Sequence, residues 1–243
     1  MKSPEKLYQF HVRNLRSVTA GLQHVFASGR EAIARAHQEG VNTHVRLVSF
    51  LLGVWSEARL LKLLYEPNGF SEPERCKVLK ETALTRWQVL VELAFRKHYN
   101  IPQSELRPPK LPSTAHFRLA KLQEALQTEL RAVITMRNKL AHGQWAYPLN
   151  DVLDDVAQEQ MEALRKENLL SLRQKFRLLD ILCNVIHDLS VSRRTFERDW
   201  DDHFREFEQT RINIERKNLA TWEAQMRKKY QQGRERLMTV KAG

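Results

Sequence analysis

Apolar residues recur at steps of three and four along most of this chain, which is the spacing of one face of an α-helix. The clearest example lies between residues 114 and 142, where seven apolar residues form a single stripe. Turn-forming residues are scarce: the 243 residues include 8 Gly and 8 Pro, whereas an all-β fold needs a turn about every 8–12 residues. The pattern therefore predicts an all-α protein. The stripe consists of Leu119, Leu122, Leu126, Leu130, Val133, Met136 and Leu140.

Capping residues and glycines set the expected ends of the helices. Ser71 with Glu74 three residues later is a capping box, which satisfies free backbone N–H groups where a helix begins. Gly40 and Gly143 are each expected to end a helix, because glycine readily adopts the left-handed conformation that follows a last turn. Four prolines between residues 100 and 113 predict a connecting loop. The expected helices cover residues 5–39, 43–65, 71–99, 114–142, 156–189 and 192–232.

The expected domain boundary lies near residue 150. Residues 1–150 are expected to form an antiparallel helical bundle that includes an extra N-terminal helix. Residues 151–243 are expected to form a C-terminal helical extension that packs on this bundle or on a partner, because their last segment combines mixed charges with a thin apolar stripe. A helical scaffold that dimerises through this segment, with Trp200 and Trp222 in the contact, is one open interpretation.

The charge of the chain favours a polyanionic partner. Its formal net charge is +11 and its pI is near 9.8, values typical of proteins that bind nucleic acid, although charge also serves solubility. Two cysteines argue against a disulfide framework and fit a reducing compartment. The first ten residues lack an apolar signal core, and the most apolar run, residues 47–55, is far shorter than a membrane span. We therefore expect a cytoplasmic protein with no membrane association.

The richest chemistry lies at the end of the fourth expected helix, in the sequence RNKLAHG at residues 137–143. Asn138 and His142 are four residues apart and share a helix face on the side away from the apolar stripe, while Arg137 lies at the edge of the stripe. Histidine can act as general acid or base near neutral pH, and arginine can hold a phosphate and the charge that builds on it. RNA brings its own nucleophile, the 2′-hydroxyl, so these groups predict RNA cleavage without a metal ion.

A second Arg–His pair with the same spacing shows that spacing alone is a weak signal. Arg198 and His203 stand in the sequence RDWDDH, with three aspartates between them. These carboxylates would repel a phosphate and are expected to pair with nearby arginines. We interpret this segment as a charged helix face.

The full RNKLAHG string resembles the signature of the HEPN (higher eukaryote and prokaryote nucleotide-binding) ribonucleases, which combine an arginine, a following polar residue and a histidine a few positions later. The resemblance covers about residues 41–147. It implies a helical bundle, a homodimer whose two motifs meet in one composite cleft, and metal-independent cleavage that leaves a 2′,3′-cyclic phosphate. Family members occur in toxin–antitoxin and phage-defence systems, so an antitoxin or regulatory partner is expected, and some members bind RNA without cleaving it.

The resemblance assigns roles to the motif residues: His142 is the general acid/base, Arg137 binds the scissile phosphate and Asn138 positions these groups. Glu57 is a supporting candidate on an earlier helix, and an ordinary surface charge or a partner for Arg137 is an equally open interpretation. No motif predicts a metal or a cofactor. The expected function is an endoribonuclease, and the alternative is a non-catalytic helical module that binds RNA or a protein partner. Further basic residues expected to contact the RNA backbone are Lys139, Arg107, Lys110, Arg227, Lys228 and Lys229.

Overall fold

A computed structural model describes residues 3–101 and 105–242, and over these residues the protein is all-α, as the sequence predicts. Extended pairing within these ranges amounts to one isolated β-bridge, between Leu149 and Val156. None of the helices in this part of the chain combines the length and apolar character that a membrane crossing requires. The helices are α1 (Pro4–Ala34), α2 (Gln38–Leu64), α3 (Glu72–Leu79), α4 (Ala83–His98), α5 (Ser113–Ala125), α6 (Arg131–Ala141), α7 (Gln158–Lys166), α8 (Leu169–Val191), α9 (Arg193–Arg216) and α10 (Leu219–Ala242), with a π turn (Leu126–Leu130) between α5 and α6.

Several helix ends follow the expected local chemistry. Ser71 and Glu74 form the capping box at the start of α3, where the Ser71 backbone N–H donates to Glu74 Oε2 over 2.7 Å. Gly143 follows α6 with φ of +78°, the left-handed conformation that costs glycine little. The expected helix over residues 114–142 is one continuous helical segment from α5 to α6. The proline-rich loop connects α4 to α5 as expected, with its residues 102–104 outside the described ranges.

The sequence places a helix end at Gly40, and this prediction is wrong. α1 ends at Ala34, and Ala36 makes the turn with φ of +56°, so Gly40 lies in the first turn of α2. A Cβ atom at this position would lie 2.5 Å from the ring Nδ1 of His37. Position 40 therefore requires glycine because the His37 ring lies against it, and not because a helix ends there.

Three of the expected helices are each two helices in the structure. The second helix of each pair begins directly after a Thr or Asn residue, which can accept hydrogen bonds from the free N–H groups of a first turn. Asn168 Oδ1 accepts from the backbone N–H of Ser171 over 2.9 Å, and Asn218 Oδ1 accepts from that of Thr221 over 3.0 Å. At α8 and α10 a capping residue inside a periodic segment thus starts a new helix, whereas the Thr82 side chain makes no such hydrogen bond before α4. The residues that precede the second helices are Thr82, Asn168 and Asn218.

The core is built around α2, which packs against α1, α6 and α8. One cluster of buried hydrophobic residues extends from α1 to α9, and α10 packs on α1. Most of the C-terminal extension therefore packs on the bundle of its own chain. Phe196 and Trp200 of α9 are buried in this cluster. Trp200, which the scaffold interpretation places in a dimer contact, is thus used inside its own subunit.

A polar cluster joins the end of α2 to α1 and α8. The carboxylate of Glu66 accepts a hydrogen bond from the Tyr8 hydroxyl over 3.0 Å and forms an ion pair with Lys62, and His187 Nε2 lies 3.8 Å from its Oε2. Burial alone raises the pKa of Glu66, but the contacts with His187, Lys62 and Tyr8 outweigh burial and lower this pKa to about 2. The carboxylate therefore stays ionised through all but strongly acidic conditions.

Candidate active site

The motif lies where α6 crosses α2 at very short range. The two helices are antiparallel, since Gly53 of α2 faces Arg137 while Arg46, two turns earlier, reaches Trp145 just beyond the end of α6. A Cβ atom at Gly53 would lie 2.3 Å from Arg137 Cβ and 2.6 Å from its Cγ. The missing side chain of Gly53 therefore creates the space through which the stem of Arg137 passes.

The guanidinium of Arg137 is held by two neighbours. Its Nη2 forms an ion pair with Glu57 of α2, and its Nη1 donates to Asn138 Oδ1 over 2.8 Å. The side chains of Arg137 and Glu57 are 25% and 35% exposed, so the pair is partly buried and is still reached by solvent. Glu57 is thus the partner of Arg137, one of the two interpretations that the sequence leaves open. Since a guanidinium carries five N–H donors, further donors are left for an anion.

His142 ends α6 with its side chain exposed. Its backbone N–H donates to the Asn138 carbonyl over 3.2 Å, whereas its ring has no hydrogen-bond or ion-pair partner in the part of the chain that the structure describes. An imidazole in this setting is free to approach a ligand. Because Asn138 bonds both to Arg137 and to the His142 backbone, it joins the arginine and the histidine.

Asn138 and His142 line one open hollow with a volume of about 600 Å³. Thr135 lies on the same face of α6, three residues before Asn138 and seven before His142, so the helical period could have identified it. The other wall is formed by the loop that follows α6, including Asp151 and Leu153, which no helical pattern predicts. Arg137 is not among the residues that line the hollow and reaches its edge through Asn138.

Hydrogen bonds within the loop over residues 143–157, and to α2 and α6, hold this loop in place. Lys139 Nζ donates to the Leu149 carbonyl over 2.6 Å, and the Leu149 N–H donates to Gln144 Oε1 over 2.8 Å. Arg46 Nε donates to the Trp145 carbonyl over 3.2 Å, and the Trp145 indole N–H donates back to α6 over 3.0 Å. Lys139, a predicted RNA-backbone contact, is therefore already engaged within its own chain.

The same loop exposes large apolar side chains next to the hollow. Tyr147, Val152 and Leu153 are 62%, 74% and 62% exposed, and Trp145 is also partly open to solvent. Single apolar residues are normal at a surface, but four on one loop, with Leu153 lining the hollow, are a concentration of exposed apolar side chains. Val152 and Leu153 carry no signal in the sequence that would have identified them.

The remaining predicted RNA contacts lie in other parts of the molecule. Arg107 and Lys110 precede α5, whereas the motif lies at the end of α6. The continuous helical segment between them, from Ser113 to His142, is about 40 Å long at roughly 1.5 Å per residue. Arg107 also forms an ion pair with Glu105 over 2.6 Å. These two cations and the motif cannot contact the same few nucleotides within one subunit.

The three basic residues of α10 lie on a helix that packs against α1. Arg227 donates to the carbonyl of Ile33 over 3.3 Å and pairs with Glu223 over 3.2 Å, so it secures α10. Lys228 and Lys229 are exposed. They remain available for a phosphate backbone at a site separate from the hollow.

The second Arg–His pair has the surroundings that its aspartates predict. Arg198 forms a two-point ion pair with Asp199, with distances of 2.5 and 2.7 Å, and His203 Nε2 lies 3.5 Å from Asp188 Oδ2. Both members of this pair are therefore occupied by carboxylates. Within the described ranges, no group of three or more His, Cys, Asp or Glu side chains is placed to hold a metal ion.

Comparison of the chain with protein-family models, with curated proteins and with solved structures found no match.

Proposed function

We propose that this protein is a metal-independent endoribonuclease that acts through Arg137, Asn138 and His142. The observation that carries the proposal is an exposed imidazole without a partner among the described residues, on one helix face with an asparagine that is bonded to an arginine. The chemistry required for RNA cleavage is a proton carrier beside a phosphate-binding cation. The open hollow beside Asn138 and His142 offers room for a nucleotide.

In the proposed reaction, a neutral His142 ring nitrogen takes the proton of a ribose 2′-hydroxyl. The 2′-oxygen then bonds to the adjacent phosphorus, the bond from phosphorus to the 5′-oxygen breaks, and a proton is delivered to that leaving oxygen. The products are a 2′,3′-cyclic phosphate and a 5′-hydroxyl end. Arg137 stabilises the charge on the non-bridging oxygens, and Asn138 keeps the guanidinium in place.

A homodimer completes this mechanism. One histidine cannot remove one proton and supply another at the same moment, whereas two copies of His142 in a shared cleft can divide the roles of base and acid. Leu153 lines the hollow, and the loop that carries it also exposes apolar side chains at residues 145, 147 and 152, which favour a protein contact at this loop. We infer that a second copy of the chain, or an antitoxin that masks the cleft, covers them, as in a toxin or defence effector.

The ion pair between Arg137 and Glu57 favours a second candidate function. An arginine that is already neutralised by a carboxylate suits a purely structural role, and the protein would then be a helical module that binds RNA or a protein partner without cleaving it. The two functions differ in what His142 does. A binding module retains its affinity for RNA when the imidazole is removed, whereas a nuclease loses its cleavage.

The test is RNA cleavage by the purified protein in EDTA, on tRNA, rRNA and mRNA. We expect cleavage by the wild type, cyclic phosphate at the new 3′ ends, and loss of cleavage in His142→Ala and Arg137→Ala proteins whose helical content is unchanged. His203→Ala is the matched control, because it removes a histidine with the same spacing from an arginine on another helix. Cleavage by His142→Ala equal to wild type would refute the proposal, and no cleavage of any RNA by the wild type would favour the binding module.

A further inference from the structure

A second hollow lies between α8 and the connection from α9 to α10. None of these helices carries the motif. The volume of the hollow is about 510 Å³, and its lining includes polar, cationic and aromatic groups. The proposed nuclease chemistry uses none of them. The residues that matter here are Arg173, Gln174, Arg177, Lys217, Thr221 and Trp222.

Gln174 is the most unusual member of this lining. The residue is 6% exposed, and its buried side-chain Oε1 accepts no hydrogen bond. The residues one turn away on either side, Leu170 and Leu178, are buried leucines, so Gln174 occupies a position on the apolar face of α8. A buried amide oxygen without a donor is costly, and a donor group on a bound ligand would remove that cost.

Two cations of the hollow have no partner within the described ranges. The side chains of Arg173 and Lys217 are exposed and form no hydrogen bond or ion pair there, whereas the guanidinium of Arg177 is paired with Glu206 over 2.7 Å. The 24-residue helix α10 begins beside Lys217, so the positive end of its dipole lies at the same rim. This part of the hollow therefore favours an anion.

Trp222 adds a flat apolar surface to the same hollow. Aromatic side chains stack on nucleobases regardless of base identity, while phosphate groups seek arginine, lysine and helix N-termini. A ribose hydroxyl or a base amino group can donate to the amide oxygen of Gln174. A ligand that carries a ring, a hydroxyl donor and a phosphate satisfies all three parts of the lining.

We infer that this hollow is a binding site for a ribonucleotide. The cations Arg173 and Lys217 hold the phosphate, Trp222 supports the base, and Gln174 accepts a hydrogen bond from the nucleoside. The inference is independent of the proposed nuclease function, because the hollow lies on α8 and α10 whereas the motif lies on α6.

The test is isothermal titration calorimetry of the full chain with each of the four ribonucleoside 5′-monophosphates. Adenosine and inorganic phosphate are titrated separately. We expect saturable binding of at least one nucleotide, and weaker binding of adenosine or phosphate alone. Arg173→Gln and Lys217→Gln should each lower the affinity about tenfold, since each removes one charge-assisted contact. Arg194→Gln is the matched control: it removes an exposed, unpaired charge from the other end of α9, and its affinity should equal that of wild type.

Gln174→Leu distinguishes a ligand site from a buried amide that binds nothing. This change removes the unsatisfied amide and keeps a side chain of similar size, so we expect a higher melting temperature without nucleotide and a loss of nucleotide binding. Binding of none of the four nucleotides would overturn the inference. Equal loss of affinity in Arg194→Gln, or unchanged binding by Gln174→Leu, would also overturn it.

Discussion

The contact between α2 and α6 makes a strong prediction about Gly53→Ala. The new Cβ would lie 2.3 Å from Arg137 Cβ, whereas carbon atoms in contact are about 3.5–4.0 Å apart. Both atoms are fixed to their backbones, so a new rotamer of Arg137 relieves the contact with its Cγ but not the contact with its Cβ. The helices must therefore move apart by about 1 Å or more, which also displaces the guanidinium from Glu57.

The size of the effect follows from two opposing terms. Overpacking a well-filled contact costs about 1–3 kcal/mol, while alanine in place of glycine inside a helix gains about 1 kcal/mol. The difference is a net loss of up to about 2 kcal/mol in the free energy of unfolding, with a fall in melting temperature of up to about 8 °C. If Arg137 binds the scissile phosphate, RNA cleavage should fall by more than this loss of stability explains.

Gly21→Ala is the matched control for this experiment. It makes the same chemical change inside α1, where a Cβ atom would meet nothing within 4 Å, so it should stabilise the protein by about 0.5–1 kcal/mol. Urea unfolding followed by circular dichroism measures both variants. The reasoning is refuted if Gly53→Ala is as stable as Gly21→Ala, because the two helices would then separate without cost.

Three further changes test the fold and the loop beside the motif. The pKa of Glu66 is lowered to about 2 from 4.5, so its ionised form adds about 3 kcal/mol to the free energy of unfolding above pH 4.5, and this is lost as the pH falls from 4.5 to 2. Glu66→Gln should flatten this part of the stability–pH curve, and an unchanged curve would contradict the assignment. Lys139→Met removes the hydrogen bond to the Leu149 carbonyl and should speed amide hydrogen exchange over residues 143–157, whereas unchanged exchange would mean that other contacts hold the loop. Asn168→Ala removes the N-cap of α8 and should cost about 0.5–2 kcal/mol in urea unfolding, and a loss below the range would show that water replaces the cap.

Local patterns predicted the parts of the molecule that depend on local chemistry. The apolar stripe of α5 and α6, the capping box at Ser71 and the turn at Gly143 all follow from residues within one or two turns of each other. The divided helices were missed because apolar periodicity continues across each break, and only the N-capping residue marks it. Gly40 was misread because its reason is the neighbouring ring of His37 and not a helix end.

The sequence predicts only the part of the candidate site that lies on α6. The face shared by Asn138 and His142 follows from their spacing, and so does the place of Thr135. The opposite wall depends on contacts such as that between Arg46 and Trp145, which are 99 residues apart in the sequence. No periodicity encodes such pairings, so neither the hollow nor the exposure of the apolar residues on its loop could be derived from the sequence alone.

The contacts of Arg137 connect the fold to the proposed chemistry. Its stem fills the space left by Gly53, and its guanidinium is shared between Glu57 and Asn138. A phosphate at this site must compete with the Glu57 carboxylate for the guanidinium. Because the pair is only partly buried, solvent still weakens it, whereas a phosphate that receives two N–H donors forms a stronger contact. Glu57 can therefore hold the arginine in position before RNA binds without preventing its transfer to the phosphate.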